Sequence, residues 1–193
     1  MATRSFTADD ATAAGISPID RLTTAGRILR YQVTGVASSA EDVVQSVGGW
    51  LCDRARAGWD VNVLVAGGGD PRPLTILGAA ARDLDEDFPS MVRSVLLVGA
   101  VAVSADLLHA DTRVREEIIR LLKRGLTEVI VWGTTWPVEL GRQADSVEHR
   151  VSSAAQAFKS HALVAAGVLT DSVTPTEALF RVGTGLFRPL YSV

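Results

Sequence analysis

Cysteine, lysine and long apolar runs are what this chain of 193 residues has least of. The lone cysteine, Cys52, excludes an internal disulfide framework. It sits in a helical stretch, Gly49-Trp50-Leu51-Cys52, where a free thiol is expected to behave as a small buried hydrophobe. Arg54 and Arg56 lie close in sequence but do not make it a reactive thiol. No apolar run reaches the roughly 18 residues that span a bilayer, and the opening residues Met1 to Phe6 lack the apolar core of a signal peptide. A cytoplasmic location is the expectation that follows.

Charge of one sign is also scarce. A net charge of −3 and a pI near 5.6 give no overall pull toward nucleic acid or an anionic membrane, so neither is expected as a partner. Lysine occurs only at positions 123 and 159, which leaves arginine to supply almost all the positive charge. Histidine occurs only at 109, 149 and 161, at no metal-ligand spacing and beside no activated nucleophile. Each histidine is expected to be a surface or capping residue. No metal and no other cofactor is expected.

What is present is an α/β pattern centred on residues 59–133. Asp60 to Ala66, Val95 to Val103 and Glu128 to Trp132 read as strands, the last two as near-continuous aliphatic runs of the kind helices cover on both faces. The expected fold is α/β and Rossmann-like: a small, mostly parallel sheet of three or four strands, helices on both faces, plus additional N-terminal helices. Residues 1–16 read as a mobile tail and 17–193 as a single domain.

Helix signals fill the remainder. Ser17-Pro18 opens a helix whose apolar positions run Ile19, Leu22, Gly26, Leu29, Val33, with a break at Thr34 to Ala37. Ser38 and Glu41 have capping-box spacing ahead of a helix that stops at Gly58. Gly48-Gly49 in its middle implies close packing or a kink. Asp70-Pro71 reads as the start of a helix carrying Leu74, Leu77, Ala81 and Leu84. The acidic run Asp83 to Asp87 then closes that helix against its dipole, as a solvated loop.

Ser104-Ala105-Asp106 opens a short helical turn, Asp111 caps another helix, and Lys123-Arg124-Gly125 ends it. Val147 to Leu169 has helical spacing throughout, with His161 to Val168 as an alternative strand. Thr174-Pro175-Thr176-Glu177 combines a capping box with a first-turn proline, so a last helix is expected there. The tail from Gly183 to Tyr191 is expected to lie extended across the body or a partner.

Ligands of open parallel sheets sit beyond the carboxyl ends of the strands. The candidate ligand-binding residues are therefore Gly67, Gly68, Gly69, Asp70 and Arg72, then Ser104 and Asp106, then Thr134, Thr135 and Trp136. The glycine run is neither G-x-G-x-x-G nor a Walker loop. Asp70 puts a negative charge where a phosphate would sit, while Pro71 and Pro73 remove two N–H donors, leaving Arg72 as the one phosphate-binding fork. Asp70 and Asp106 together could hold Mg²⁺, although as helix caps both already have structural roles.

No catalytic constellation stands out, so the sequence favours a non-catalytic interaction or regulatory protein acting through a homo-oligomeric or partner-protein interface. The alternative is a Rossmann-like enzyme or sensor that binds a nucleotide or phosphorylated small molecule at the strand ends.

Overall fold

The computed structural model describes residues 30–95, 99–125, 127–134, 144–169 and 172–182. Seven strands form one sheet: β1 (Gln32–Ala37), β2 (Asp60–Val65), β3 (Ala80–Asp83), β4 (Gly99–Ser104), β5 (Glu128–Trp132), β6 (Ala144–Arg150) and β7 (Thr176–Val182). Their order is β3-β2-β1-β4-β5-β7-β6. The five strands from β3 to β5 are parallel, and β7 runs antiparallel to both of its neighbours.

Six helices lie among the described residues: α1 (Ala40–Arg56), α2 (Arg72–Ile76), α3 (Leu84–Val95), α4 (Ala105–Ala110), α5 (Thr112–Arg124) and α6 (Ser153–Ala165). Strand alternation divides the core between the two faces of the sheet. Val33, Ala37, Ala100, Ala102, Ile130 and Trp132 pack under α1, α2 and α6. Val36, Val101, Val103, Val129 and Val131 pack under α3, α4 and α5. The continuous apolar runs of β4 and β5 thus reflect burial on both faces.

The fold class holds, but the sheet is nearly twice the expected size, and each missed strand has a physical reason. Thr34 to Ala37 is no break: with Gln32 and Val33 it forms β1, the centre of the parallel section. Val33 continued the helical spacing set from Ile19, and Thr34 and Gly35 disguised the strand. Residues 17–29, where the N-terminal helix is expected, lie outside the described residues, as do the tail at 1–16 and the segment 183–193.

The segment from Asp70 to Leu84 is not one helix. α2 lasts five residues, the edge strand β3 follows, and α3 then begins at Leu84. This inverts the role of the acidic run. Asp83 accepts hydrogen bonds from the amides of Asp85 (2.7 Å) and Glu86 (3.3 Å), so these carboxylates cap a helix start, where the dipole favours them. Part of the expected strand Val95 to Val103 shifts accordingly, and β4 spans Gly99–Ser104.

Val147 and Val151 belong to β6 and the turn after it, not to a helix, while His161 to Ala165 is helical. The expected final helix at Pro175 is instead β7, because Glu177 turns inward to a buried partner and does not cap. Caps that satisfy local amides without competition are as expected. Asp111 accepts from Arg113 and Val114, and Gly125 ends α5 in the left-handed conformation. Ser39, one residue later than expected, caps α1 by accepting from Asp42. No helix among the described residues is long and apolar enough to cross a membrane.

Candidate functional site

Strand order reverses direction between β1 and β4, and in open parallel sheets the carboxyl edge at such a reversal is where ligands bind. Helices α1, α3 and α5 start on this edge, and their amino termini carry Glu41 and Asp42, Asp85 to Asp87, and the cap Asp111. The acidic cast of the rim follows from this. Each carboxylate offsets the positive end of a helix.

Asp42 is the rim carboxylate tied deepest into the fold. It accepts from Nε1 of Trp132 at 3.2–3.3 Å and from Oγ of Ser46 at 3.1 Å, joining the first turn of α1 to the end of β5. Trp132 is 1 % exposed, so its one N–H must find an acceptor. Ser104 stands opposite Trp132 in the β4–β5 register and is itself buried. It occupies the N-cap position of α4 but makes no side-chain cap bond. The α1-facing row at this edge thus runs Ala37, Ser104, Trp132, with Asp42 above the indole.

The glycine loop builds a different part of the edge. Gly67, Gly68 and Gly69 have φ of 70°, 70° and 134°, left-handed conformations that only glycine adopts readily. A cavity of about 210 Å³ lies between the ends of β2 and β3, lined by Ala40, Gly68, Gly69, Asp70, Arg82 and Asp83, among others. Arg72 turns back on its neighbour: its guanidinium lies 2.7 Å from Asp70 and its amide also donates to that carboxylate at 3.0 Å, an exposed pair that a phosphate would have to displace. The Arg72 bonds hold the Asp70 carboxyl below the usual range. Pro71 holds the N-cap position of α2, and the Asp70 carboxylate just before it satisfies the amide of Arg72, the first residue of the helix.

The structure therefore separates the expected site residues. Gly68, Gly69 and Asp70 line the cavity, with Gly67 exposed beside them and Arg72 turned back on Asp70. Ser104 lies in the other group with Trp132 and Asp42, while Asp106 and Thr134 are exposed further along the edge. Thr135 and Trp136 lie outside the described residues. Asp42 was missed, since an acidic residue in a helix's first turn reads as ordinary dipole compensation. Only the contact with Trp132, 90 positions away, distinguishes it.

Among the described residues, no group of three or more His, Cys, Asp or Glu side chains converges to hold a metal ion. His149 has a specific partner: Nε2 lies 2.9 Å from Asp53, which also accepts from Oγ of Ser152. The carboxylate sits between the other two groups, so this is a structural clasp and not a nucleophile-base-acid relay. Burial raises the Cys52 pKa, with the Asp53 charge adding to it, which agrees with an inert buried thiol.

No family model matches the chain, and no curated protein sequence does. Solved structures do resemble it. A deacetylase of the teicoplanin biosynthetic pathway aligns at a TM-score of 0.55 with 12 % identity, over 78 % of this chain and 97 % of its own. The deacetylase of an antimicrobial pseudoaglycone aligns at 0.53 with 14 % identity, over 79 % and 97 %. The 4-carboxy-2-hydroxymuconate hydratase of Pseudomonas putida aligns at 0.50 with 14 % identity, over 83 % and 100 %. At such identities the likeness is one of fold.

That finding nevertheless overturns the non-catalytic reading. Each of these neighbours is an enzyme, and the shared architecture takes in nearly the whole length of each. The expected interaction protein, defined by an oligomeric or protein-binding surface, is withdrawn.

Proposed function

We propose that this chain is a hydrolytic enzyme that removes an acyl group, of acetyl type, from the nitrogen of a small polar molecule held along the carboxyl edge of the sheet. The observation that carries the reading is Asp42, fixed by the Trp132 indole and the Ser46 hydroxyl at the carboxyl edge, with the buried Ser104 opposite Trp132 on the neighbouring strand. A carboxylate oriented by two donors is a general base held in place before substrate arrives. In this reading Asp42 takes a proton from water as the water oxygen adds to the acyl carbon. The C–N bond then breaks and the proton passes to the departing amine. The Ser104 hydroxyl contacts the substrate from the neighbouring strand end. The described residues offer no metal-ligand set, and no step is routed through a metal.

Two features set the substrate class. The rim carries Glu41, Asp42, Asp70, Asp83 and Asp106, which disfavours an anionic substrate and suits an uncharged or amine-bearing one. The phosphate-binding alternative is disfavoured by the same rim, since a phosphate at Arg72 would have to displace the Asp70 carboxylate and sit beside it. The deacetylases among the structural neighbours agree with the reaction type.

The test is acetate release from a panel of N-acetylated amino sugars and N-acetylated amines, with and without added divalent cations. Turnover that falls about a hundredfold or more in a folded Asp42→Asn variant supports the reading. No release across the panel, or undiminished release by Asp42→Asn, refutes it.

A further inference from the structure

Lys159 and Glu177 form an ion pair in the interior, Nζ to Oε1 2.6 Å, with side chains 3 % and 1 % exposed. Both are spent on the backbone of α1. Glu177 accepts from the amides of Gly49 at 2.8 Å and Trp50 at 2.7 Å, and Lys159 donates to the carbonyl of Gln45 at 2.7 Å. In an unbroken helix the Gly49 amide would point at that same Gln45 carbonyl. The pair therefore meets backbone groups of two successive rungs of the helix, Gln45–Gly49 and Ser46–Trp50. It reaches them because Gly49 has no side chain: a Cβ there would stand 3.0 Å from Oε1 of Glu177.

From this clamp a continuous chain of contacts runs to the sheet edge. Lys159 holds the Gln45 carbonyl, the next residue Ser46 donates to Asp42, and Asp42 accepts from Trp132. A buried ion pair adds little net stability over apolar side chains of similar volume, and what this one does visibly is hold backbone groups of α1. We infer that Lys159 and Glu177 are positioning residues, which fix the first two turns of α1 and thereby hold the Asp42 carboxylate against the Trp132 indole. The inference deepens the proposed function, since it assigns a support to the proposed base. Its test reads the Asp42–Trp132 bond directly and so stands apart from that reading.

The variant is Lys159→Met with Glu177→Gln, which removes both charges together and leaves no lone buried ion. The measurement is hydrogen exchange of the Trp132 indole N–H by NMR, its signal assigned by loss in Trp132→Phe. The control is Val114→Ala, which thins the core on the opposite face of the sheet. The expected result is a cooperative fold in which Trp132 exchanges about tenfold or more faster than in the control. Where acyl hydrolysis has been established, kcat should also fall about tenfold or more with KM little changed.

Exchange no faster than in the control overturns the inference, whatever the turnover. Should the double variant fail to fold, Lys159→Gln with Glu177→Gln keeps a hydrogen-bonding group at each position without a charge and is judged on the same two exchange outcomes. Loss of turnover in Asp42→Asn without any Trp132 change in the clamp variants would leave the proposed base standing and remove only its support.

Discussion

Gly49 meets Val151 with no room for a methyl group between them: a Cβ built on Gly49 would lie 2.5 Å from Cγ1 and 2.8 Å from Cγ2 of Val151. A glycine inside an exposed helix normally costs up to about 1 kcal/mol relative to alanine. Here the sign reverses. Gly49→Ala should destabilise by about 2 kcal/mol through overpacking, because Val151 sits in the turn between β6 and α6 with its amide tied to the Pro175 carbonyl at 2.9 Å. Gly48→Ala is the contrast: its Cβ would meet a single mobile methyl, Cδ1 of Leu77, at 3.2 Å, so it should fall within about 1 kcal/mol of wild type. Denaturant unfolding of the two variants checks the pair.

Asp53 joins the last part of α1 to the β6–α6 corner through Ser152 and His149. Burial pushes its pKa up, but bonds from the Ser152 hydroxyl and amide and from His149 outweigh this, and the carboxyl titrates below its ordinary range. The folded pKa is depressed, so the stabilisation is complete above the ordinary carboxylate pKa of about 4 and is lost as pH falls through the folded value. Asp53→Asn should cost about 1–2 kcal/mol at neutral pH. Its unfolding curve should merge with that of wild type as pH falls below about 4. A deficit that stayed constant with pH would contradict the assignment.

Asp83 caps α3 through the amides of Asp85 and Glu86. Asp83→Ala should therefore cost about 1 kcal/mol, although the side chain belongs by sequence to a run of five that looks like a solvated loop. Asparagine at this position should recover most of the loss, which thermal unfolding can measure.

Asp70 and Arg72 form the opposite case. Their 2.7 Å ion pair lies on the exposed glycine loop, and removing either partner should change stability by less than about 0.5 kcal/mol. The same substitutions should leave nucleotide binding unaffected, because under the proposed function none occurs. A thermal-shift screen with nucleotides and phosphorylated metabolites would show no stabilisation in wild type or variant.

The elements legible in the sequence are those whose signals are local. The aliphatic runs of β2 and β5, the Asp111 cap and the Gly125 stop each follow from residues within one turn or one strand, and the structure has them where expected, while the run expected from Val95 yields β4 only from Gly99. Cys52 is buried as its type implies. The α/β class follows from the alternation of these elements. By itself, then, the sequence determined a parallel core and the edge on which a site would lie.

Tertiary structure decided the rest, because the deciding partners are far apart in the chain. β1 is a strand because β2 and β4 flank it; its own six residues, with Thr34 and Gly35, have no decisive period. Thr174 to Glu177 carries a sound capping box, yet Glu177 gains more from two amides of α1 and the Lys159 ammonium than from a local cap, and the segment extends as β7. Asp42 becomes a candidate base only when β5 brings the Trp132 indole to it. A hydrogen bond that joins residues about a hundred positions apart leaves no mark on sequence periodicity, since neither partner's local pattern depends on the other.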